Sequence, residues 1–493
     1  MSLLSNAKWN ALSQFFKIFV QAVNLIYLAK IIPPDQYGIM VMAVVVINLG
    51  ILLRDLGTSA AIIQKKSLSH DLINSIFWLN VTLGVVLCGV ITLLAKPLAM
   101  LYGHPELTTI LMMLAVTFPL SSCAATHLAL LERDSRFKSI ARIEVTSALV
   151  SVVVAVTMAN LGYGVFSLVA QAITLNLMSA VQFWVVSHWR PSVKRLIQLR
   201  DIKEIFSFST HLSLFNLINY FSRNADSFII GKFMSAAILG QYNLAYRIML
   251  FPLQSLTFVA TRSLYPILSK YQDENGKILN TYINTVFVIL ALTSPLMTII
   301  GFYSFPLIAT FFGEQWLKTA EILKWLAPTA IIQSVLSTTG SVFMAKGRTD
   351  ILMRLGILGA FLQLTAFILG VQFDINTFAK FYLIANVLNF APVMYCLMKI
   401  IGGDISTLFF KTYPIAISVM SMIFFMLLID HQFPNREIKE ISPLILIFFS
   451  NLLFYFLCLL AISKGSRKFI YGKVVTRADG FLSTNRHKRS IDK

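Results

Sequence analysis

Charge is scarce in this chain. Only 13% of its 493 residues are Asp, Glu, Lys or Arg, about half the roughly 25% of soluble domains. Acidic residues are the scarcer sign, 22 against 41 Lys and Arg, for a net charge of +19. The four cysteines, Cys88, Cys123, Cys396 and Cys458, are scattered without metal or redox spacing. That excludes a disulfide framework and leaves them as small apolar residues. No Walker A loop occurs, so this chain is not expected to hydrolyse ATP. A GxSxG elbow, a dinucleotide fingerprint and a His/Cys/Asp/Glu cluster with ligand spacing are also missing. The expectation is a non-enzyme without a cofactor. Two-residue alternation is missing too, which argues against a membrane barrel.

What is abundant is long apolar sequence. Hydrophobic residues make up 57% of the chain, in blocks of about twenty or more, the length that spans a bilayer as helix. The expected fold is therefore an all-α polytopic membrane protein with about fourteen spans. The first six fall at roughly 9–32, 38–61, 73–95, 107–131, 140–161 and 165–187. The next six fall at roughly 208–233, 240–267, 282–305, 319–345, 353–371 and 377–399, and the last two at 411–430 and 441–463. Pro33-Pro34-Asp35, Gly162-Tyr163-Gly164 and Gly402-Gly403-Asp404 supply turn chemistry between spans.

Basic residues test this count. Lys65, Lys66, Arg133, Arg136, Lys138, Arg190, Lys194, Arg200, Lys346, Arg348 and the tail fall on one side; Lys30, Lys96, Lys232, Lys318 and Lys380 fall on the other. The full ratio is about four to one, which places both termini in the cytoplasm. The distribution also turns the net charge away from nucleic acid and toward anionic membrane lipids. The start, MSLLSNAKWN, is read as leading into a retained first helix rather than a signal peptide.

The expected organisation is an N-lobe over 1–187, a cytoplasmic linker over 188–206, a C-lobe over 207–400, two further helices over 401–463 and a basic cytoplasmic tail over 464–493. The two six-helix lobes resemble each other. Ala29-Lys30-Ile31-Ile32 with Gly38 and Ala43 matches Gly231-Lys232-Phe233-Met234 with Gly240 and Ala245 at an offset of 202. Pro97, Gly103 and Pro119 match Pro306, Gly313 and Pro328 at offsets of 209 or 210. An even number of spans per copy gives a parallel repeat, a pattern of secondary transporters with the site near the midplane.

The stretch from Leu214 to Lys270 reads as two spans carrying Arg223, Asp226, Arg247 and Arg262 in apolar surroundings. Charge at membrane depth is a functional hypothesis by default. In span 1, Gln14, Lys17, Gln21 and Asn24 recur at 3, 4, 3 and share one helical face. Adding 202 gives Asn216, Asn219, Arg223 and Asp226. Two equivalent polar stripes favour a water-filled cavity over isolated helix-to-helix bonds. The expected substrate-binding residues are Lys17, Gln21, Asn24, Asn216, Asn219, Arg223, Asp226 and Arg247. Lys17 has no acid on its own stripe, which favours an anionic ligand. Asp226 has three readings: pairing with Arg223, pairing with Arg247, or contact with substrate. His127 reads as a satisfied lone histidine.

Several runs resemble the polysaccharide transporter family. They are Asp226-Ser227-Phe228-Ile229-Ile230-Gly231, Leu239-Gly240-Gln241-Tyr242 with Arg247, Asp55-Leu56-Gly57, Phe77-Trp78-Leu79-Asn80, Gly313-Glu314-Gln315-Trp316 and Ala345-Lys346-Gly347-Arg348. The similarity extends over essentially the whole chain and is greatest to the Wzx-type and colanic-acid-exporter branch of the multidrug/oligosaccharidyl-lipid/polysaccharide exporter superfamily. It implies a flippase of the bacterial inner membrane. The implied cargo is an undecaprenyl-pyrophosphate-linked oligosaccharide for O-antigen, capsule or exopolysaccharide, and the implied partner is the polymerase machinery that consumes it. A pyrophosphate would need cations such as Lys17, Arg223 and Arg247, and sugar hydroxyls would need amides such as Gln21 and Asn219. Alternatives are a drug/cation antiporter of the same superfamily, which would favour a more acidic cavity, and a membrane-embedded polymerase or ligase, which would need a large outward loop.

Overall fold

The computed structural model describes residue 16 and residues 19–54, 62–63, 68–193, 220–221, 223–432 and 440–463, with the backbone course alone over 251–263. Lys17, Asn216, Asn219, most of the expected linker and the basic tail lie outside the described residues. Every regular element among the described residues is helical. In order they are α1 (Phe19–Ile31), α2 (Pro34–Arg54), α3 (His70–Tyr102), α4 (Glu106–Ala115), α5 (Thr117–Arg133), α6 (Phe137–Asn160), α7 (Val165–Val186) and α8 (223–233). Then follow α9 (Ala236–Lys270), α10 (Asn275–Phe302), α11 (Ser304–Phe311), α12 (Leu317–Ala345), α13 (Thr349–Gly370), α14 (Ile375–Ile401), α15 (Ile405–Gln432) and α16 (Ile441–Ile462).

The breaks have local causes. Pro34 opens α2, where its fixed φ suits a helix start and its missing N–H is not needed. The Ser69 hydroxyl caps α3 by accepting from the Leu72 amide at 3.2 Å, and Gly103 ends the helix at φ 76. α4 and α5 part at Val116 because Pro119 has no N–H for the Ala115 carbonyl. The Thr117 hydroxyl turns back onto the Leu114 carbonyl at 2.6 Å. Gly164, at φ 52, lies against Gln36, whose side-chain oxygen accepts from the Val165 amide at 2.9 Å. A Cβ on Gly164 would sit 2.2 Å from that oxygen, so the turn needs glycine.

Among the described residues ten helical segments are long and apolar enough to cross a bilayer, against about fourteen expected spans. Their surfaces are inside-out by the standards of a soluble bundle. Leu93 is 80% exposed, Val185 73% and Leu446 71%. Side chains of this kind stay uncovered only where the solvent is hydrocarbon. The chain is an all-α, multi-pass membrane protein.

α12 shows the converse case. It is too polar to qualify as a span on its own composition, yet Ser334, Thr338 and Thr339 are buried. Their hydroxyls donate to the Ile331, Val335 and Leu336 carbonyls at 2.7 Å each. A helix enclosed by others needs no apolar surface if its hydroxyls bond to its own backbone.

The described chain forms two compact units. One comprises Met1–Leu244, Phe311–Lys318 and Phe367–Ile375. In it α6 and α7 pair along their lengths, and α3 packs on α4 and α5. Ala124 and Leu131 of α5, Ile143 of α6 and Phe183 of α7 share one apolar cluster. The other unit comprises Ala245–Thr310, Thr319–Ala366 and Asn376–Lys493. There α10 carries two cores. One joins Tyr282 and Val286 to Phe343 and Leu397. The other joins Ile299 and Tyr303 to Met422 and Tyr455.

Candidate functional site

Of the two polar stripes, Gln21 with Asn24 falls on α1 and Arg223 with Asp226 falls on α8, and the exposure of these helices repeats at the offset of 202. Phe19 and Phe221 are exposed, Gln21 and Arg223 exposed, Asn24 and Asp226 buried, Leu28 and Ile230 wholly buried, Lys30 and Lys232 exposed. Each stripe therefore splits in two. Gln21 and Arg223 present their side chains. Asn24 and Asp226, three residues on, pack inward.

The inward pair is bonded within the protein. Asn24 donates to the Gln171 side chain of α7 at 3.3 Å, and its own carbonyl oxygen has no partner among the described residues. Asp226 accepts from the Tyr242 hydroxyl at 3.0 Å and from the Ser227 amide at 2.6 Å. Both donors are neutral. Asp226 thus meets neutral donors rather than an arginine among the described residues. Arg247 is exposed and lies on the part of α9 in the second compact unit.

Beside these stripes is a contact that the order of residues does not reveal. α2 and α9 meet backbone to backbone in their first turns. A Cβ on Gly38 would lie 1.7 Å from the Ala236 carbonyl oxygen, and a Cβ on Gly240 would lie 2.0 Å from the Pro34 carbonyl oxygen. Gly38 and Gly240, like Pro34 and Ala236, are 202 apart. Each helix thus inserts its glycine against the first residue of the other, a local two-fold built from the repeat. Small residues at such a crossing let backbones approach in the absence of a hydrophobic force between helices.

Polar bonds surround the crossing. Trp316 Nε1 and Gln315 Nε2 both donate to the Ala29 carbonyl at 2.7 Å, and Gln241 Nε2 donates to the Gln315 carbonyl at 2.6 Å. The Trp316 ring stands edge-on to Tyr37 at 5.4 Å. In the equivalent place across the repeat, the Lys232 ammonium donates to the Leu101 carbonyl, and Tyr102 stacks edge-on with Phe228 at 5.8 Å. The Gly313-Glu314-Gln315-Trp316 run is thereby a clasp on the α1–α2 turn. Its signal in the sequence was the paired glycines, visible as a repeat but not as a contact.

His127 departs from expectation. It is wholly buried in α5 with neither ring nitrogen bonded among the described residues. Its neighbours are the rings of Trp184, Trp189 and Phe77, at 4.8, 5.5 and 6.1 Å. It is an aromatic core residue, not a hydrogen-bonded one. The segment after α7 is held to this cluster by Trp78, which donates to the Ser192 carbonyl at 2.9 Å, and by Asn74, which accepts from the Ser192 amide at 2.7 Å.

A sequence family described as polysaccharide biosynthesis protein matches residues 27–321, more than half of the chain. The chain belongs to this family. The family match takes in both glycine turns and the Gly313–Trp316 clasp. Among similar proteins is the lipopolysaccharide biosynthesis protein WzxC of Escherichia coli K12, 28% identical over 373 residues, 75% of each chain. Another is the teichuronic acid biosynthesis protein TuaB of Bacillus subtilis 168, 27% identical over 414 residues, 83% of this chain and 84% of that one. In fold the chain is similar to the lipid II flippase MurJ in an inward closed conformation, with a TM-score of 0.72 over 96% of this chain and 100% of that one at 13% identity.

Proposed function

We propose that the protein is a flippase that carries a lipid-linked oligosaccharide from the cytoplasmic to the outer leaflet for surface polysaccharide synthesis. The observation that carries this reading is the family match over 27–321 in a chain whose whole fold resembles a lipid II flippase. The names of the relatives, biosynthesis proteins for lipopolysaccharide and for teichuronic acid, support a glycan cargo. The cargo's lipid is undecaprenyl pyrophosphate, and the protein sits in the inner membrane with fourteen crossings and both termini in the cytoplasm. The bias of basic residues supports that orientation. Polymerase machinery takes the product.

The head group contacts α1 and α8. Lys17 and Arg223 meet the pyrophosphate, with Arg247 of α9 as a further cation, because charge-assisted bonds to phosphate are the strong ones in a site of low dielectric. Gln21, Asn216 and Asn219 meet sugar hydroxyls. Asn24 and Asp226 hold the helices that carry these groups. The lipid tail stays in the bilayer. The two six-helix lobes, 1–187 and 207–400, open alternately, and the Gly38/Gly240 crossing with the Trp316 clasp closes the outward side. The exposed cation at Arg223, where an exporter of cationic drugs would favour acid, supports this reading over an antiporter.

The test is reconstitution. The purified protein in liposomes should move a fluorescent oligosaccharide-diphosphate-polyprenol to the leaflet reached by an external glycosidase. Protection of the substrate equal to that in protein-free liposomes would overturn the proposal.

A further inference from the structure

A groove in the second compact unit, apart from the stripes, has the composition of a lipid headgroup site. It lies between α10 and α15 with a volume of about 430 Å³. One wall is Asn280 and Asn284, one helical turn apart on α10. The other is Ser406, Thr407 and Lys411 of α15, while Ile283 and Phe410 supply apolar lining. None of its lining residues is acidic.

The turn before α15 builds this groove. Gly402 adopts φ 70, and a Cβ there would lie 3.6 Å from the Asn275 side chain. A Cβ on Gly403 would lie 2.6 Å from Leu279. The left-handed φ at Gly402 and the missing Cβ at Gly403 therefore let the turn settle on the first turns of α10 and bring the start of α15 beside Asn280 and Asn284. The apolar residues below, Ile283 and Leu408, belong to a buried core, so the walls are fixed.

The polar residues of the groove are unspent. Asn280, Asn284 and Lys411 are exposed and make no hydrogen bond or ion pair with any described residue. Neighbouring cations differ. Lys277 pairs with Glu274 at 2.7 Å, and Lys346 donates to Asn275 and to the Gln272 carbonyl at 2.8 and 2.6 Å. Depth makes the difference matter. α10 and α15 each have 28 residues, about 42 Å of helix, which matches a bilayer of about 40–45 Å with its headgroups. Lys411 lies six residues into α15, about 9 Å along it. A helix of this length that spans a bilayer end to end would put Lys411 close to where phosphates give way to acyl chains. A lysine and two amides left without partners at that depth are costly. An anion with hydroxyl-bonding oxygens on an apolar stem would satisfy all of them.

We infer that this groove binds the phosphate of an anionic lipid, with Lys411 on the charge, Asn280, Asn284, Ser406 and Thr407 on the phosphate and glycerol oxygens, and Ile283 and Phe410 against the start of the chains. The inference does not depend on which cargo the protein moves. The test uses the full-length protein in nanodiscs that mix phosphatidylglycerol with phosphatidylcholine, followed by native mass spectrometry of the lipids retained. Phosphatidylglycerol should be retained over phosphatidylcholine by about fivefold, the effect of one lysine near an anionic surface. Lys411→Gln and Asn284→Leu should each reduce that preference, and Lys411→Arg should keep it. Unchanged melting of these variants in phosphatidylcholine alone separates lost binding from lost folding. Equal retention of the two lipids by the parent protein, or undiminished preference in both Lys411→Gln and Asn284→Leu, overturns the inference. Competition then identifies the source of the phosphate. Displacement of phosphatidylglycerol by a polyprenyl phosphate assigns the groove to the isoprenoid lipid, and failure to displace it assigns the groove to a phospholipid.

Discussion

The α1–α2 turn and the α8–α9 turn are the same structure written twice with different charges. Their backbones demand the same things in the same places: a buried residue at 28 and 230, a buried small one at 29 and 231, and glycine at 38 and 240. Their stripes are alike in exposure but not in chemistry, with Gln21 and Asn24 opposite Arg223 and Asp226. The close approach of two helices fixes the glycines, because a carbonyl 1.7 Å from a Cβ admits no other residue without movement. Nothing in the helix crossing fixes the stripe. Asn24 and Asp226 each answer instead to a different partner, Gln171 and Tyr242.

The sharpest way to break this comparison is to move the charge. Arg223→Ala should lower transport by roughly ten- to hundredfold, the worth of a charged hydrogen bond, with the protein still in the membrane. Adding Gln21→Arg should restore part of it if both helices face one cargo. Transport at the parent level in Arg223→Ala, measured in the liposome assay, would remove Arg223 from the site.

A steric change should come next in size. Gly38→Val or Gly240→Val must push α2 and α9 apart at their first turns. The expected outcome is faster reaction of a cysteine placed at Gln315 with a membrane-impermeant thiol reagent, together with reduced transport. Unchanged labelling would mean that the carbonyls at Ala236 and Pro34 yield without opening the crossing. Trp316→Phe should be milder, since it removes one hydrogen bond to the Ala29 carbonyl, about 1 kcal/mol, and keeps the ring against Tyr37. Thermal melting with labelling at the same cysteine reads this effect.

Asp226 separates structure from function most finely. Asp226→Asn keeps an acceptor for Tyr242, so a change in stability under about 1 kcal/mol is expected, with transport retained. Asp226→Leu leaves that hydroxyl buried without its partner, at about 1–3 kcal/mol. Transport lost in a stable Asp226→Asn protein would return Asp226 to the substrate. Cysteines at Gln21 and Arg223 should react with the thiol reagent, while those at Asn24 and Asp226 should stay protected. Reaction at all four would make each stripe wet across its whole width.

Much of this was legible in the order of residues. Apolar blocks of bilayer length, the turn residues at Pro34, Gly164 and Gly402, and the glycine repeat at 38 and 240 carried the helical fold, its breaks and its internal likeness. Periodicity placed Gln21 and Asn24 on one face, since three residues is nearly one turn. It could not divide that face, because which edge is covered depends on Gln171 of α7 and Tyr242 of α9, far away in sequence. The surroundings of His127 are hidden from the sequence for the same reason. A histidine without polar neighbours in sequence gives no sign of three aromatic rings brought to it from α3, α7 and the segment beyond.

The sequence by itself determined that the chain is helical, that it crosses a membrane many times, and that its two halves share a design. Those properties follow from the local hydrogen bonding and hydrophobicity of single segments in lipid. Tertiary structure alone decided that Gly38 and Gly240 grip each other's helices, that Trp316 and Gln315 clasp the Ala29 carbonyl, and that Asp226 turns to Tyr242. These depend on backbone groups brought within a few ångströms from distant parts of the chain, and the pattern of residue types along a helix does not encode which carbonyl a glycine will meet.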